Sequence, residues 1–263
     1  MKIGIHGING KMGQAIALEI LNQPQFTLAA ASVRNGHEWA DKRLDEVSAL
    51  NSSVRLTTSL EQLCASVDVV IDFTRPDATQ TLLPICRKLK KPMMIGTTGF
   101  SQETLGWIEK AGQDIPIVLA ANTSLGVTIL IEVSRQVAAH LGQEWNIDIF
   151  EAHHKNKIDA PSGTALRIGQ AIASAQNSDF ESRKRYPYTN KRKDGEIGFS
   201  VVRAGQIVGD HSVFFTNDFE QLEFTHRAQD RRIFAQGALT AARWVADKEA
   251  GIYNMAQVLG INP

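Results

Sequence analysis

Apolar residues recur along the chain in two alternating rhythms. Short runs rich in β-branched and aliphatic residues, at 3–6, 26–33, 67–73, 92–95 and 115–121, alternate with stretches whose apolar positions return every three or four residues. The first kind predicts strands of a parallel sheet covered on both faces, and the second predicts helices lying on it. Met12, Ile16 and Ile20, flanked by Ala15 and Leu18, give a helical face that stops before Pro24. Residues 77–90 have helical character, which Pro84 is expected to kink or interrupt. Ser101 is placed to cap a helix running to 113, and Ile129, Val133, Val137 and Leu141 form one stripe of a long helix over 126–141. From Trp145 onward the rhythm changes to short β-segments at 145–150, 195–202, 211–215 and 221–225, separated by turns such as Gly209-Asp210 and Asn217-Asp218, which predicts an antiparallel or mixed sheet. A helix over 232–245, rich in small residues, is expected to return to the first domain. The fold class is α/β, with an N-terminal Rossmann-type parallel sheet followed by a second α+β domain with a mixed or antiparallel sheet.

The turns between these elements carry the chemistry. Gly7-Ile-Asn-Gly10-Lys-Met-Gly13 lies between the first strand and the first helix, in a G-x-x-G-x-x-G variant of the dinucleotide fingerprint. Gly7 permits the tight turn, Gly10 lets the backbone reach a pyrophosphate at the helix N-terminus, and Gly13 allows close helix packing. The second strand ends at Val33-Arg34, without the acid that an NAD-selective site uses on the ribose hydroxyls. An arginine there pairs with a 2′-phosphate, so NADPH is the expected preferred cofactor. Thr74-Arg75-Pro76, Gly96-Thr-Thr-Gly99 and Asn122-Thr-Ser124 also fall at carboxyl ends of strands, and all these turns are expected to line one crevice.

The densest polar segment is 151–165, Glu-Ala-His-His-Lys-Asn-Lys-Ile-Asp-Ala-Pro-Ser-Gly-Thr-Ala, on a strand-to-helix connection. The first turn of a helix presents unpaired N–H groups, Ser162 is a good N-cap, and Gly163 lets a ligand approach the backbone. With His153, His154, Lys155 and Lys157 just upstream, the expected guest is an anion, a carboxylate in particular.

Composition narrows the rest. The chain has 263 residues and a formal net charge of zero, so no global field recruits nucleic acid or an anionic membrane. Cys64 and Cys86 lack C-x-x-C spacing and read as reduced core thiols, with no metal site expected. No apolar stretch approaches a membrane span, and the start runs directly into a strand, so a soluble cytoplasmic protein is expected. The basic, proline-interrupted run 183–193 reads as a mobile solvated loop, with lid or inter-subunit duty as the alternative.

Taken together, Gly7–Gly13, Asp72-Phe-Thr-Arg-Pro76, Gly96–Gly99, Ala120-Ala-Asn-Thr-Ser124 and above all E-A-H-H-x-x-K-x-D-A-P-S-G-T-A resemble the 4-hydroxy-tetrahydrodipicolinate reductase family, long called dihydrodipicolinate reductase, over nearly the full length. The resemblance implies NAD(P)H-dependent reduction of a cyclic dicarboxylic imine, with loss of water, in diaminopimelate and lysine biosynthesis. It implies acid/base roles for His153 and Lys157, with their division open, and substrate contacts from His154, Gly163 and Thr164. Cofactor contacts implied are Gly7, Ile8, Asn9, Gly10, Lys11, Met12, Arg34, Arg75, Gly96, Thr97, Thr98, Ala120, Ala121, Asn122 and Thr123. It implies NADPH or NADH as cofactor, a small-molecule dicarboxylate as substrate, and a homotetramer built through the second sheet. Residues 1–124 and 234–263 then form the dinucleotide-binding domain, and 125–233 the substrate-binding and oligomerisation domain, with closure expected about 122–126 and the return before Phe234. Two positions depart from the family pattern: Val33 replaces a frequent acid, and Thr123 a frequent aromatic. Against this stand a sugar-oxidising Rossmann dehydrogenase, which lacks the carboxylate-catching Lys157 and 162–164 turn, and a redox-sensing dinucleotide-binding protein, which needs no His153/Lys157 pair. A thiohemiacetal-forming aldehyde dehydrogenase is disfavoured because neither cysteine has a polar, activating context.

Overall fold

The computed structural model describes residues 1–142 and 144–261. The chain divides into two compact units, Met1–Ser124 with the chain from Arg232 onward, and Leu125–Arg231. Residues 262–263, within the expected first domain, and residue 143, within the expected second, lie outside the described residues.

The first unit opens with β1 (Lys2–His6), α1 (Lys11–Leu21) and β2 (Thr27–Ser32), close to the expected bounds. Three elements follow that the pattern did not predict: α2 (Leu44–Val47), β3 (Leu56–Thr57) and α3 (Leu60–Ala65). Elements this short complete too few turns or pleats for a period to show. Then come β4 (Val69–Asp72), α4 (Pro76–Lys88), β5 (Met93–Ile95), α5 (Gln102–Gly112) and β6 (Pro116–Leu119). The helix α4 continues through Pro84 instead of breaking there. Pro84 removes one i→i−4 bond, but Leu82, Leu83 and Cys86 around it are buried, and each such burial contributes roughly 1.5–3 kcal/mol for a large aliphatic side chain. Ser101 caps α5 by accepting from the Thr104 N–H, as its position predicts.

The second unit contains α6 (Leu125–His140), β7 (Asn146–His153), α7 (Gly163–Ala175), α8 (Phe180–Arg183), β8 (Lys184–Arg185), β9 (Ile197–Arg203), β10 (Gly209–Thr216) and β11 (Gln221–Ala228). The chain then re-enters the first unit as α9 (Arg232–Val245), β12 (Gly251–Tyr253) and α10 (Met255–Val258).

Among the described residues the first sheet has seven strands in the order β12-β6-β5-β4-β1-β2-β3, and every pairing is parallel. A Cβ on Gly4 would meet Leu63 and Val67, so the Gly4/His6 face of β1 looks toward α3, and Ile3 and Ile5 look the other way. The α3–α5 side is filled by Leu63, Leu82, Cys86, Met93, Ile108 and their neighbours, and α9 packs along β4, β5 and β6. Cys64 and Cys86 are buried there as free thiols with their sulfurs 3.6 Å apart. Strand order reverses beside β1, between β2 and β4, which is where such sheets open a ligand crevice.

The second sheet runs β11-β10-β7-β9-β8 and is mixed: β7–β9 and β8–β9 are parallel, β7–β10 and β10–β11 antiparallel. Ile147, Ile149, Phe199, Val213 and Phe215 form one face and build a core with Ile168 and Ile172 of α7 and Leu130 of α6.

The basic run 183–193 is exposed over residues 187–191 and at 193, as expected of a solvated loop, but several of its side chains are anchored. Arg185 is buried and pairs with Glu196 at 2.8 Å, while Arg192 donates to Asp148 at 2.7 Å and to the carbonyls of Ile147 and Glu196. Tyr188 adds a hydrogen bond to Asp148 at 2.7 Å. One of the acids that neutralise this run, Glu196, follows it directly, whereas Asp148 on β7 is too far along the chain for a local charge count to reveal. In the same way, β7 extends three residues beyond the expected strand end, so His153 is its last residue.

Candidate active site

At the carboxyl end of the first sheet, Gly7 has φ of 77°, a left-handed conformation that admits glycine and strains other residues. The Gly7 and Ile8 N–H groups both donate to the Ser32 carbonyl at 3.1 Å, tying the turn to β2. A Cβ on Gly13 would overlap the Gly7 carbonyl oxygen, so this glycine lets α1 begin directly beneath its own turn. Gly10 caps α1 without a side-chain bond, and the first turn holds no acid. Its N–H groups and the positive end of the helix dipole therefore suit an anionic group such as a pyrophosphate.

Asp72, fully buried at the end of β4, organises the neighbouring turns. It accepts from the hydroxyls of Thr74 at 2.6 Å, Thr79 at 2.5 Å and Thr97 at 3.3 Å, and from the Thr74 N–H at 3.1 Å. The Thr74 N–H also donates to the Thr97 hydroxyl at 2.9 Å, joining the β4 and β5 exits. A Cβ on Gly96 would collide with the Phe73 ring, so Gly96 is small to seat that ring.

The exits of β1, β2 and β4 surround a cavity of about 560 Å³ lined by His6, Gly7, Asn9, Gly10, Arg34, His37 and residues 73–75, 77 and 78, whereas the expected 96–99 and 122–124 turns are not part of its lining. Of the expected cofactor residues, Gly7, Asn9, Gly10, Arg34 and Arg75 line it; Ile8 is buried beneath, Lys11 is exposed, and Met12 half-buried at the start of α1. The Arg34 and Arg75 guanidinium groups are exposed and have no protein partner among the described residues. Val33 is only 3% exposed, so its side chain belongs to the core. Gly96, Thr97 and Thr98 follow β5, with Thr97 buried and Thr98 exposed; Ala120, Ala121 and Asn122 follow β6, with Ala121 exposed and Ala120 bonded to the Ile95 carbonyl. Thr123 is turned inward, its hydroxyl donating to the Phe234 carbonyl at 2.7 Å. Its backbone carbonyl lies against Gly237 of α9, and the residue as a whole is 1% exposed.

In the second unit the polar segment 151–165 is organised by Glu151, a fully buried carboxylate near the end of β7. Its Oε2 lies 2.6 Å from His153 Nδ1 and accepts from Arg203 Nη1 at 2.7 Å. Its Oε1 accepts from Arg203 Nη2 at 2.7 Å and from the Ser162 N–H at 2.9 Å. One side chain thus fixes the His153 ring, the end of β9 and the start of α7. Burial alone would raise the Glu151 pKa, but hydrogen bonds from His153, Arg203 and Ser162 outweigh it and hold the carboxyl down at about 2. With Glu151 engaged at Nδ1, Nε2 is the nitrogen of His153 left for a ligand.

His211 on β10 stands against this cluster, its ring edge-on to His153 at 5.2 Å between centroids and its Nε2 3.1 Å from the Ser162 hydroxyl. Burial, helped by the nearby His153, pushes its pKa down to about 3. Ser162 is the N-cap of α7, accepting from the Ala165 N–H at 3.2 Å. The Gly163 N–H has no acceptor among the described residues, and nothing lies within 4 Å of where its Cβ would be. Thr164 follows, half-buried, in the first turn. Lys157 pairs with the exposed Asp159 at 2.8 Å, and His154 is half-buried, its carbonyl accepting from the Lys157 N–H. The second unit therefore brings His153, Lys157 and the α7 N-terminus to one end of the sheet, as the segment predicts.

Three contributors were not assigned from sequence. Glu151 stood inside the segment without a role. Arg203 meets it because β9 lies parallel to β7 with His153 opposite Arg203, and His211 because β10 places it opposite Glu151. A histidine inside the apolar run His211-Ser-Val-Phe-Phe is the single local signal among these.

The model of the dihydrodipicolinate reductase N-terminus matches residues 1–123, and that of its C-terminus residues 126–259. A 4-hydroxy-tetrahydrodipicolinate reductase of Nitrosomonas europaea is 41% identical over 99% of this chain and 98% of its own length. One from Pseudomonas fluorescens is 42% identical over 99% of both chains. Among solved structures, a dipicolinate-bound dihydrodipicolinate reductase of Paenisporosarcina sp. TG-14 superposes with a TM-score of 0.79 at 22% identity, covering 98% of each chain. An amine dehydrogenase of Mycobacterium smegmatis gives 0.67 at 9% identity, covering 97% of this chain and 95% of that one, a likeness of fold alone. With both halves matched and relatives above 40% identity over nearly all its length, this chain belongs to the dihydrodipicolinate reductase family.

Proposed function

We infer that this protein reduces 4-hydroxy-tetrahydrodipicolinate to tetrahydrodipicolinate, with loss of water, in diaminopimelate and lysine biosynthesis. The observation that carries the reading is the Glu151 network, which fixes His153 through Nδ1 and the open N-terminus of α7 through the Ser162 N–H, with Lys157 on the connection between them. That group of side chains suits a dicarboxylate that must be held and protonated. The first unit has the glycine turn, acid-free helix N-terminus and exposed arginines that fit a dinucleotide.

When bound, the nicotinamide supplies the hydride. The chain does the rest. The Gly163 N–H and Thr164 hold a substrate carboxylate at the positive end of α7, and His154 adds a contact. Hydride addition to a conjugated imine leaves negative charge on nitrogen, and the Lys157 ammonium stabilises that charge as it develops. His153, oriented through Nδ1 by Glu151, delivers a proton from Nε2.

NADPH is the preferred cofactor, with NADH also used. With Val33 buried in place of an acid, nothing at the end of β2 repels a 2′-phosphate, and Arg34 pairs with it. The test is consumption of each cofactor with freshly condensed aspartate semialdehyde and pyruvate. Turnover is expected with both, at higher kcat/KM for NADPH, and Arg34→Ala is expected to erase that advantage while leaving NADH nearly unaffected. No turnover with either would end the functional reading; a wild-type preference for NADH would end only the cofactor assignment.

The protein works as a homotetramer through the second sheet. Helices α6 and α7 cover its Ile147/Ile149 face, so alternation directs Phe150, Val202 and Phe214 to the opposite face, apolar residues on which no helix of this unit packs among the described residues. Light scattering should give a tetramer for the wild type and smaller species for Phe150→Asp/Phe214→Asp; a monomeric wild type would reject this assembly.

A further inference from the structure

His6 has no part in the chemistry above, yet it occupies a distinctive place. It is the last residue of β1, 8% exposed, and lines the 560 Å³ cavity between the Gly7 turn and the start of α4. Its Nδ1 lies 2.8 Å from the Ser32 hydroxyl, whereas its Nε2 is buried near the Ala78 backbone without closing a well-formed hydrogen bond. A buried polar nitrogen left unpaired carries a desolvation penalty, so its persistence beside a cavity points to a ligand that completes it. Burial pushes the imidazole pKa down, against the pull of the buried Asp72 carboxylate and the Ala78 backbone, so the ring is neutral near pH 7.

The two ends of the cavity differ in character. Arg34 and Arg75 are exposed and suit phosphates, which keep water and cations around them. Elsewhere in the lining the buried His6 stands with the half-buried Phe73 and Ala78, a neutral hydrogen-bonding group beside apolar surface. A base with its sugar matches that combination, and a phosphate does not.

We propose that His6 is a specificity-determining residue whose Nε2 hydrogen-bonds the adenine nucleoside of the dinucleotide, completing on binding the valence that the folded chain leaves open. This rests on the dinucleotide reading of the first unit. Either tautomer serves: if the Ser32 hydroxyl donates to Nδ1, Nε2 is a donor, and if it accepts, Nε2 is an acceptor.

The test uses the full-length protein and calorimetric titration with NADPH, 2′,5′-ADP and 5′-ADP. His6→Asn keeps a polar atom near Nδ1 for Ser32 but cannot reach the Nε2 position; His6→Gln reaches it. His6→Asn is expected to weaken all three ligands about 10-fold, a typical consequence of one lost hydrogen bond from a desolvated group, and His6→Gln to stay within about 3-fold of wild type. A structural role through Ser32 predicts the reverse order, which would overturn the proposal, as would unchanged affinity in both variants or a loss confined to 2′,5′-ADP. Thermal melts of each variant separate misfolding from lost recognition, and a Gln variant that melts with the wild type yet binds as weakly as Asn also counts against it. Wild-type protein that binds none of the three would remove the dinucleotide reading itself.

Discussion

Lys157→Ala and His153→Ala are each expected to lower kcat by about 10²–10⁴, the usual contribution of a positioned acid or base. His153 has one nitrogen committed to Glu151 at 2.6 Å, so its remaining nitrogen is the part that exchanges protons with a ligand. Lys157 is held by Asp159, an exposed partner that solvent screens and that a bound dianion can replace. Because both groups answer the same developing charge, the double variant should fall near the worse single one instead of multiplying the losses. Lys157→Arg separates the two ways a lysine can help: it keeps the charge but holds its proton, so retained activity marks electrostatic stabilisation and a loss as deep as alanine marks proton transfer. Steady-state rates with saturating NADPH are the measurement. Near wild-type turnover in both alanine variants would discard the assignment.

Glu151→Gln is expected to destabilise the protein by about 3–5 kcal/mol, since removing one partner of a buried ion pair strands the other, here the Arg203 guanidinium that donates twice to it. Acid should act on the same network. The folded Glu151 pKa of about 2 lies below the unfolded carboxylate value of ~4.3. Its stabilisation is therefore full above ~4.3 and lost as the pH falls toward about 2. His211 is depressed to about 3 from ~6.5, so the unfolded chain takes up its proton first and stability declines from ~6.5 downward. His6 and His226, also lowered by burial, add slope of the same sign. Denaturant unfolding at pH 7.5, 5.5 and 4 should show a falling midpoint in the wild type and a shallower fall in His211→Asn. A wild-type midpoint that is level from pH 7.5 to 5.5, or a His211→Asn slope equal to wild type, would contradict this account.

Most strands and helices were legible because they are long enough to display a period. The β1 run, the α1 stripe and the Ser101 and Ser162 caps all appear where their residues predict. Where the reading departs from the structure, the deciding factor was burial or a specific pairing, which no local pattern displays. Pro84 sits in a continuous helix because buried neighbours hold it, and the 183–193 run is pinned by Asp148 and Glu196. Among the described residues no helix is long and apolar enough to cross a membrane.

The sequence by itself determined the class of fold, the glycine turn and the segment from Glu151 to Ala165, because each of these depends on residues close together in the chain. Periodicity, turn conformation and capping are local matters. Tertiary structure alone decided which groups complete the site. Arg203 and His211 reach Glu151 only through the registers of β7 with β9 and β10, and a register depends on how whole strands pair. It also decided that Thr123 turns inward and that His6 keeps one nitrogen unpaired beside a cavity. Burial and hydrogen-bond satisfaction are properties of the assembled fold, and no stretch of sequence displays them by itself.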